Sequence, residues 1–191
     1  TCTYTNTRVA RSLTLKKTWV NGINGDAVTV TTTGLVNNAT VASISTGNST
    51  TTGASVSNVP GATVTLPAET FTTGSPANYT TTVACTGATP SSSTLPATFT
   101  MPDNDVTCTY TNTRVARSLT LKKAWVNGKS GDAITVTTTG LANNATVASI
   151  SAGNNTETGA SVANVAGATV TLPAETFTNG SQANYTTTVA C

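Results

Sequence analysis

The sequence predicts an all-β protein made of tandem Greek-key β-sandwich domains, and three observations carry that expectation. Apolar residues alternate with period two between turn signals, and no segment shows a helical period. Thr supplies 47 of the 191 residues, and its β-branched side chain favours a half-buried pleated surface. The chain also repeats itself: TCTYTNTRVARSLTLKKTWVNG at the start recurs from residue 107 as TCTYTNTRVARSLTLKKAWVNG. Aligning 1–85 with 107–191 gives 12 differences, so 73 of 85 positions are identical and one fold is used twice. The offset of 106 residues is too long for a solenoid unit and suits a self-contained sandwich of about 100 residues.

Within a unit the elements follow in order. Leu13, Leu15, Lys17 and Trp19 share one parity in SLTLKKTW, and Asn21-Gly22 and Asn24-Gly25-Asp26 supply the turn that ends the strand. Residues 27–33 (AVTVTTT) and 39–45 (ATVASIS) read as two more strands, broken by Gly34 and by the Gly-bounded stretch 47–53. Strands at 62–66, 69–72 and 78–85 come next. Residues 106–113 close the unit, with Val106, Cys108, Tyr110 and Asn112 on one face. Seven or so short strands without a helix call for a Greek-key sandwich.

The expected organisation is a closing strand of a preceding repeat at 1–8, a complete repeat at 9–113, and a second repeat at 114–191 that lacks its last loop and strand. Cys191 matches Cys85, so nothing in the second copy matches 86–106 or the strand beyond it. The chain is therefore expected to be a window on a longer array. The linker is at most RVARS at 114–118, which puts neighbouring units nearly end to end. The first expectation is one continuous polypeptide. In the alternative the units are separate subunits, and strand 1–7 of one inserts into the next, placing Cys2 beside a neighbour's Cys191 and Asn6 beside its Lys123. Either arrangement is a head-to-tail, non-closing filament.

Composition narrows the function. Only 8% of residues are charged and the net charge is +2, too little to create the field that nucleic acid or an anionic membrane requires. Leu, Ile, Val and Phe total 35; so few would suggest disorder only if a high net charge came with them. There is no His, which removes the commonest general base, the usual nucleophile triads and most zinc sites. No apolar run approaches the roughly 20 residues of a membrane span. A soluble chain, either mature or excised from something longer, is expected. It is expected to have no cofactor and to be an extracellular structural protein rather than an enzyme.

Cys85 ends one strand and Cys108 lies in the last, with 22 residues between them. A bridge closing such a loop contributes roughly 3 kcal/mol on the chain-entropy model; the other reading is a pair of buried free thiols. By periodicity Cys2 and Cys191 are half-bridges whose partners lie outside the window or in a neighbouring chain. Disulfide use places the protein outside the reducing cytosol.

At SLTLKKTW, LPAETF and VTCTYTNT the sequence resembles the prealbumin-like, Cna B-type repeat domains of bacterial surface adhesins and pilins, which are seven-stranded, Ig-like sandwiches strung in tandem on stalks. The resemblance covers the whole unit, and the order of its short motifs carries it. It implies an intramolecular isopeptide bond between Lys17 of the first strand and Asn112 of the last, assisted by the carboxyl of Glu69. Lys123, Glu175 and Asn6 are the equivalent positions in the incomplete units. The sequence departs from the family pattern around the acid, since Glu69 stands three residues after Leu66 and TFTTGSPANY follows it. The bland alternative leaves Lys17 along a strand edge and Glu69 in solvent.

Other signals are weaker. Asp103-Asn104-Asp105 reads as turn chemistry rather than a calcium site. Sequons at Asn38, Asn48, Asn78, Asn144, Asn154 and Asn184 matter only in a glycosylating host. Trp19 and Trp125 read as core residues, and Lys16, Arg8 and Arg11 are too sparse to track phosphates. The function expected is a structural repeat of a secreted bacterial surface fibre or adhesin stalk, its partners being adjacent repeats of the same fibre. The competing class, an extracellular module binding carbohydrate or a host protein, requires a flat strip of exposed aromatics.

Overall fold

The alternation in RSLTLKKTWV becomes the longest strand, β1 (Arg11–Val20), in the computed structural model, which describes residues 1–165 and 167–191 and, of Val165, the backbone alone. Leu13, Leu15, Lys17 and Trp19 are buried while the residues between them are only partly covered. The described residues form strands and two single 3-10 turns, with no α-helix. The protein is thus all-β, with several sheets. Contacts divide it into two units, Thr1–Val115 and Ala116–Cys191.

In the first unit β1 is followed by β2 (Ala27–Thr31), β3 (Thr40–Ile44), β4 (Ser49–Thr52), β5 (Val56–Asn58), β6 (Thr63–Leu66), β7 (Thr70–Thr73), β8 (Tyr79–Thr86), β9 (Ala97–Thr100) and β10 (Val106–Arg114). The largest sheet runs β4-β1-β10-β8, with β5 also paired to β1. β1 and β10 are parallel, Lys17 opposite Tyr110 and Trp19 opposite Asn112. β8 runs antiparallel on the other side of β10. The remaining strands form the sheets β3-β2-β7 and β6-β9. Inward residues of all three sheets share one core: Leu13, Leu15, Val83 and Tyr110 pack with Val30, Val41, Val64 and Phe99. A second cluster gathers Trp19, Val28 and Tyr79, and the Trp19 indole donates to Ser43 Oγ at 3.0 Å.

Three strands fall outside the sequence expectation. β4 is STTT, with no apolar alternation to mark it; it forms because β1 offers a free edge. β5 is three residues long and pairs with the start of the same strand. β9 lies inside the expected loop 86–106, where ATFT stands between two prolines and buries Ala97 and Phe99. Residues 1–8, expected as the closing strand of a preceding repeat, form no strand and are exposed, with Arg8 bound to Asp103 and to the Pro60 carbonyl. The expected linker at 114–118 is also largely strand, since β10 runs to Arg114 and the next strand begins at Ala116.

Turn chemistry matters most at Gly74, whose φ is +88° and where a Cβ would lie 2.4 Å from the Asp26 carboxyl carbon. That carboxylate accepts from the Tyr79 hydroxyl at 2.7 Å, and the same hydroxyl accepts from the Ile23 backbone N–H at 2.9 Å. Glycine alone lets the chain pass this buried network.

The second unit contains β11 (Ala116–Leu119), β12 (Lys122–Trp125), β13 (Ala133–Thr137), β14 (Thr146–Ile150), β15 (Asn155–Thr158), β16 (Val162–Val165) and β17 (Thr176–Asn179). The counterpart of β1 is split between β11 and β12. Residues 185–191, YTTTVAC, repeat the sequence of β8 but form no strand, because nothing in the unit occupies the place of β10. Val189 is 67% exposed and Leu172 38%, where Val83 is 3% and Leu66 0%.

Candidate functional site

The two central strands of the first unit deliver the site by parity alone. β1 turns Lys17 inward between Leu15 and Trp19, and β10 turns Asn112 inward beyond Tyr110. Their parallel register makes Lys17 and Asn112 diagonal neighbours on one face, since Asn112 stands opposite Trp19. Glu69 arrives from the other side, on the short connection between β6 and β7 after Pro67. The structure thus brings together the three residues that the resemblance named.

Lys17 Nζ lies 2.8 Å from Glu69 Oε1, with the two side chains 0% and 2% exposed. This close contact lacks hydrogen-bond alignment, and neither atom has another polar partner. Asn112 is fully buried. Its Nδ2 donates to Glu69 Oε2 at 2.6 Å, and its Oδ1 accepts from Thr81 Oγ1 of β8 at 2.7 Å. The ammonium also sits over the Trp19 ring, 4.7 Å from its centroid. Tyr110 closes the site and donates to the Pro67 carbonyl at 3.1 Å.

Desolvation dominates the electrostatics. Burial disfavours the charged ammonium more than Glu69 favours it, bringing Lys17 down to about 8. Burial and the adjacent Glu69 charge push the Tyr110 phenol up, which keeps it a neutral donor. An amine close to its neutral form, an acid holding the amide nitrogen and a hydroxyl on the amide oxygen together can transfer an acyl group.

Thr81 is the participant that sequence reading missed. It shares parity with Tyr79 and Val83, but a Thr among 47 carries no distinguishing mark. Lys17 does not run along a strand edge and Glu69 is not solvated, so the bland alternative fails for this unit.

The equivalent residues of the second unit are only partly assembled. Lys123 Nζ donates to Glu175 Oε1 at 2.7 Å, with side chains 14% and 10% exposed, and lies over the Trp125 ring at 4.6 Å. Thr187, the match of Thr81, reaches Glu175 Oε2 at 3.4 Å. No Asn stands in the place of Asn112, and Asn6 is exposed in residues 1–8.

Cys85 and Cys108 are joined in a disulfide across the β8–β10 pair. A buried bridge of this kind fits an oxidising environment. Cys2 and Cys191 are free and exposed. The Asp103-Asn104-Asp105 turn is engaged within the unit: Asp103 binds the Arg8 guanidinium at 2.9 Å, Asn104 donates to the Gly87 carbonyl, and Asp105 accepts from the Ser12 backbone N–H at 2.8 Å, which holds its carboxyl below the usual range. Trp19 and Trp125 are 1% and 4% exposed.

Comparison with protein-family models, curated proteins and solved structures gives no match for this chain.

Proposed function

We propose that this chain is a structural repeat of a secreted bacterial surface fibre or adhesin stalk, with its units built as tandem Ig-like, prealbumin-like Greek-key sandwiches. In the complete unit, a Lys17–Asn112 isopeptide bond joins the first and last strands and the Cys85–Cys108 bridge joins β8 to β10. One observation carries this reading: the reactive cluster is sealed, Lys17 being 0% and Glu69 2% exposed. No outside substrate reaches it, so its chemistry is directed at the protein itself.

The step balances within the cluster. Lys17 passes a proton to Glu69, and the neutral amine attacks Asn112 Cγ. Thr81 supports the charge that develops on Oδ1. The Cγ–Nδ2 bond breaks as Glu69 returns the proton to the nitrogen it already holds, and ammonia leaves, carrying the extra proton as ammonium. A new Nζ–Cγ amide remains.

The pH dependence follows from this shared proton. The reactive state carries one proton between Lys17 and Glu69, and the pair keeps it below about pH 8, where Lys17 titrates. Cross-linking of newly synthesised chain, followed by intact mass, is expected to be flat between about pH 6 and 8 and to slow by about tenfold per unit above that. A rate that keeps rising above pH 8 would show that deprotonation to solvent, not to Glu69, frees the amine.

Mechanical response tests the role itself. Lys17 lies near the start of the unit and Asn112 near its end, so a covalent link between them carries the load past everything between. Pulled by its two ends, the 191-residue chain is expected to show one lengthening step, from the second unit. Asn112→Ala is expected to add another, on the order of 25 nm once the disulfide-locked loop is subtracted. Two steps in the unmodified chain would reject the spacer reading. The binding-module alternative draws no support from the aromatics: Trp19, Tyr79, Phe99, Tyr110 and Trp125 are buried, and Tyr4 stands exposed alone.

A further inference from the structure

The Cys85–Cys108 bridge and the Lys17 cluster share one strand, β10, which lies between β1 and β8. Cys108 and Asn112 are both inward residues of β10. Across the antiparallel pair, Cys108 stands opposite Cys85 and Asn112 opposite Thr81, four residues further along each strand. The register that lets the two sulfurs bond is therefore the register that sets the Thr81 hydroxyl on Asn112 Oδ1 at 2.7 Å. On its other side the same strand, paired with β1, carries Asn112 to the face that holds Lys17.

Little else pins that register. The outward residues of β10 are Thr107, Thr109, Thr111 and Thr113, and the outward face of β8 is three Thr and one Ala. A slip of two residues leaves this face unchanged in kind and keeps every inward residue inward, so only core packing opposes it. Such a slip moves Asn112 about 7 Å along the sheet, opposite Val83 or Tyr79 instead of Thr81, and out of reach of the Lys17 amine. The buried amide draws no stability from the core until Glu69 and Thr81 meet it. The bridge forbids the slip outright. It also closes a short loop, its cysteines being 23 positions apart, whereas Lys17 and Asn112 are separated by almost the whole unit, so the thiols meet at the lower entropic cost.

We infer that the bridge is the switch for the cross-link: oxidation of Cys85 and Cys108 locks β10 in register and so admits Asn112 to Lys17 and Glu69, while the reduced chain is slow to react. The inference rests on the Lys17–Asn112 bond proposed above. Oxidation takes two protons and two electrons from the thiols, and a disulfide donor such as oxidised glutathione accepts them and becomes two thiols. The cross-link that follows releases ammonia and changes no oxidation state. The order sets where the unit matures. In a reducing cytosol the chain stays open to unfolding, and in oxidising surroundings it closes irreversibly.

Cys2→Ser with Cys191→Ser leaves Cys85 and Cys108 as the only thiols. This full chain, labelled during cell-free synthesis, is sampled as it matures in a glutathione redox buffer or in excess dithiothreitol. Each sample is quenched, reduced and denatured before its intact mass is read, so that loss of ammonia is the only change registered. Resistance to a brief protease pulse reports folding in parallel. The cross-linked fraction is expected to rise about tenfold faster in the glutathione buffer, with protease resistance gained in both. Adding Cys85→Ala and Cys108→Ala is expected to make cross-linking slow in either buffer, which assigns the effect to the bridge and not to the reductant.

Equal rates in the two buffers would overturn the inference and leave the cross-link standing. A lag in dithiothreitol that only follows late protease resistance would overturn it as well, because the bridge would then act on folding and not on register. Absence of the ammonia loss in both buffers would remove the cross-link itself, and this inference with it.

Discussion

Replacing Glu69 by Ala in an Asn112→Ala chain, which cannot cross-link and keeps the Lys17 amine, is expected to destabilise the first unit by about 3–5 kcal/mol, the usual cost of stranding one member of a buried ion pair. Lys17 has no other polar partner, and without the carboxyl it has neither a counter-charge nor an acceptor for its proton; in the chain that keeps Asn112 the same change stops cross-linking. Urea unfolding in a Trp125→Phe background, with Trp19 reporting the first unit, measures the loss. Replacing both partners, Lys17→Met with Glu69→Leu, is expected to restore most of it, because a packed apolar pair has no desolvation debt. Glu175→Ala is expected to cost less, since the Lys123–Glu175 pair is partly open to water. A loss below about 1 kcal/mol for Glu69→Ala would show that the cluster is not the charged, dry site described.

Removing the bridge with Cys85→Ala and Cys108→Ala is expected to cost about 3 kcal/mol, set by the loop it closes. That loop carries β9, which covers Val64 and Leu66, so its loosening uncovers the core on that side. The second unit shows the same surfaces when the loop has no counterpart, with Val170 39% and Leu172 38% exposed. The urea midpoint of the first unit is expected to fall in the double variant and to be insensitive there to added reductant. An unchanged midpoint would mean that the bridge only records the pairing of β8 and β10.

The all-β class was legible because it rests on parity, and the resemblance named Lys17, Asn112 and Glu69, the first two of which parity also turns inward. SLTLKKTW and VTCTYTNT each assign four inward residues, and a parallel pairing needs only those assignments to bring Lys17 near Asn112. Where parity is uninformative, sequence reading failed. β4 is an all-polar STTT held by its neighbour, and β9 is four residues between prolines inside what reads as a loop. Thr81 is chemically apt but one of many. Residues 1–8 have the full pattern of a strand and form none within this chain, because a strand requires a partner and pattern alone supplies no hydrogen bonds.

Intact mass of the reduced, denatured chain tests the central claim most directly. Condensation of Lys17 with Asn112 releases one ammonia, so the mass is expected about 17 Da below the sequence value, with fragmentation placing the deficit on a peptide pair joining residues 17 and 112. A mass equal to the unmodified sequence, together with a Lys17 amine that reacts freely with an acylating reagent after unfolding, would contradict the account.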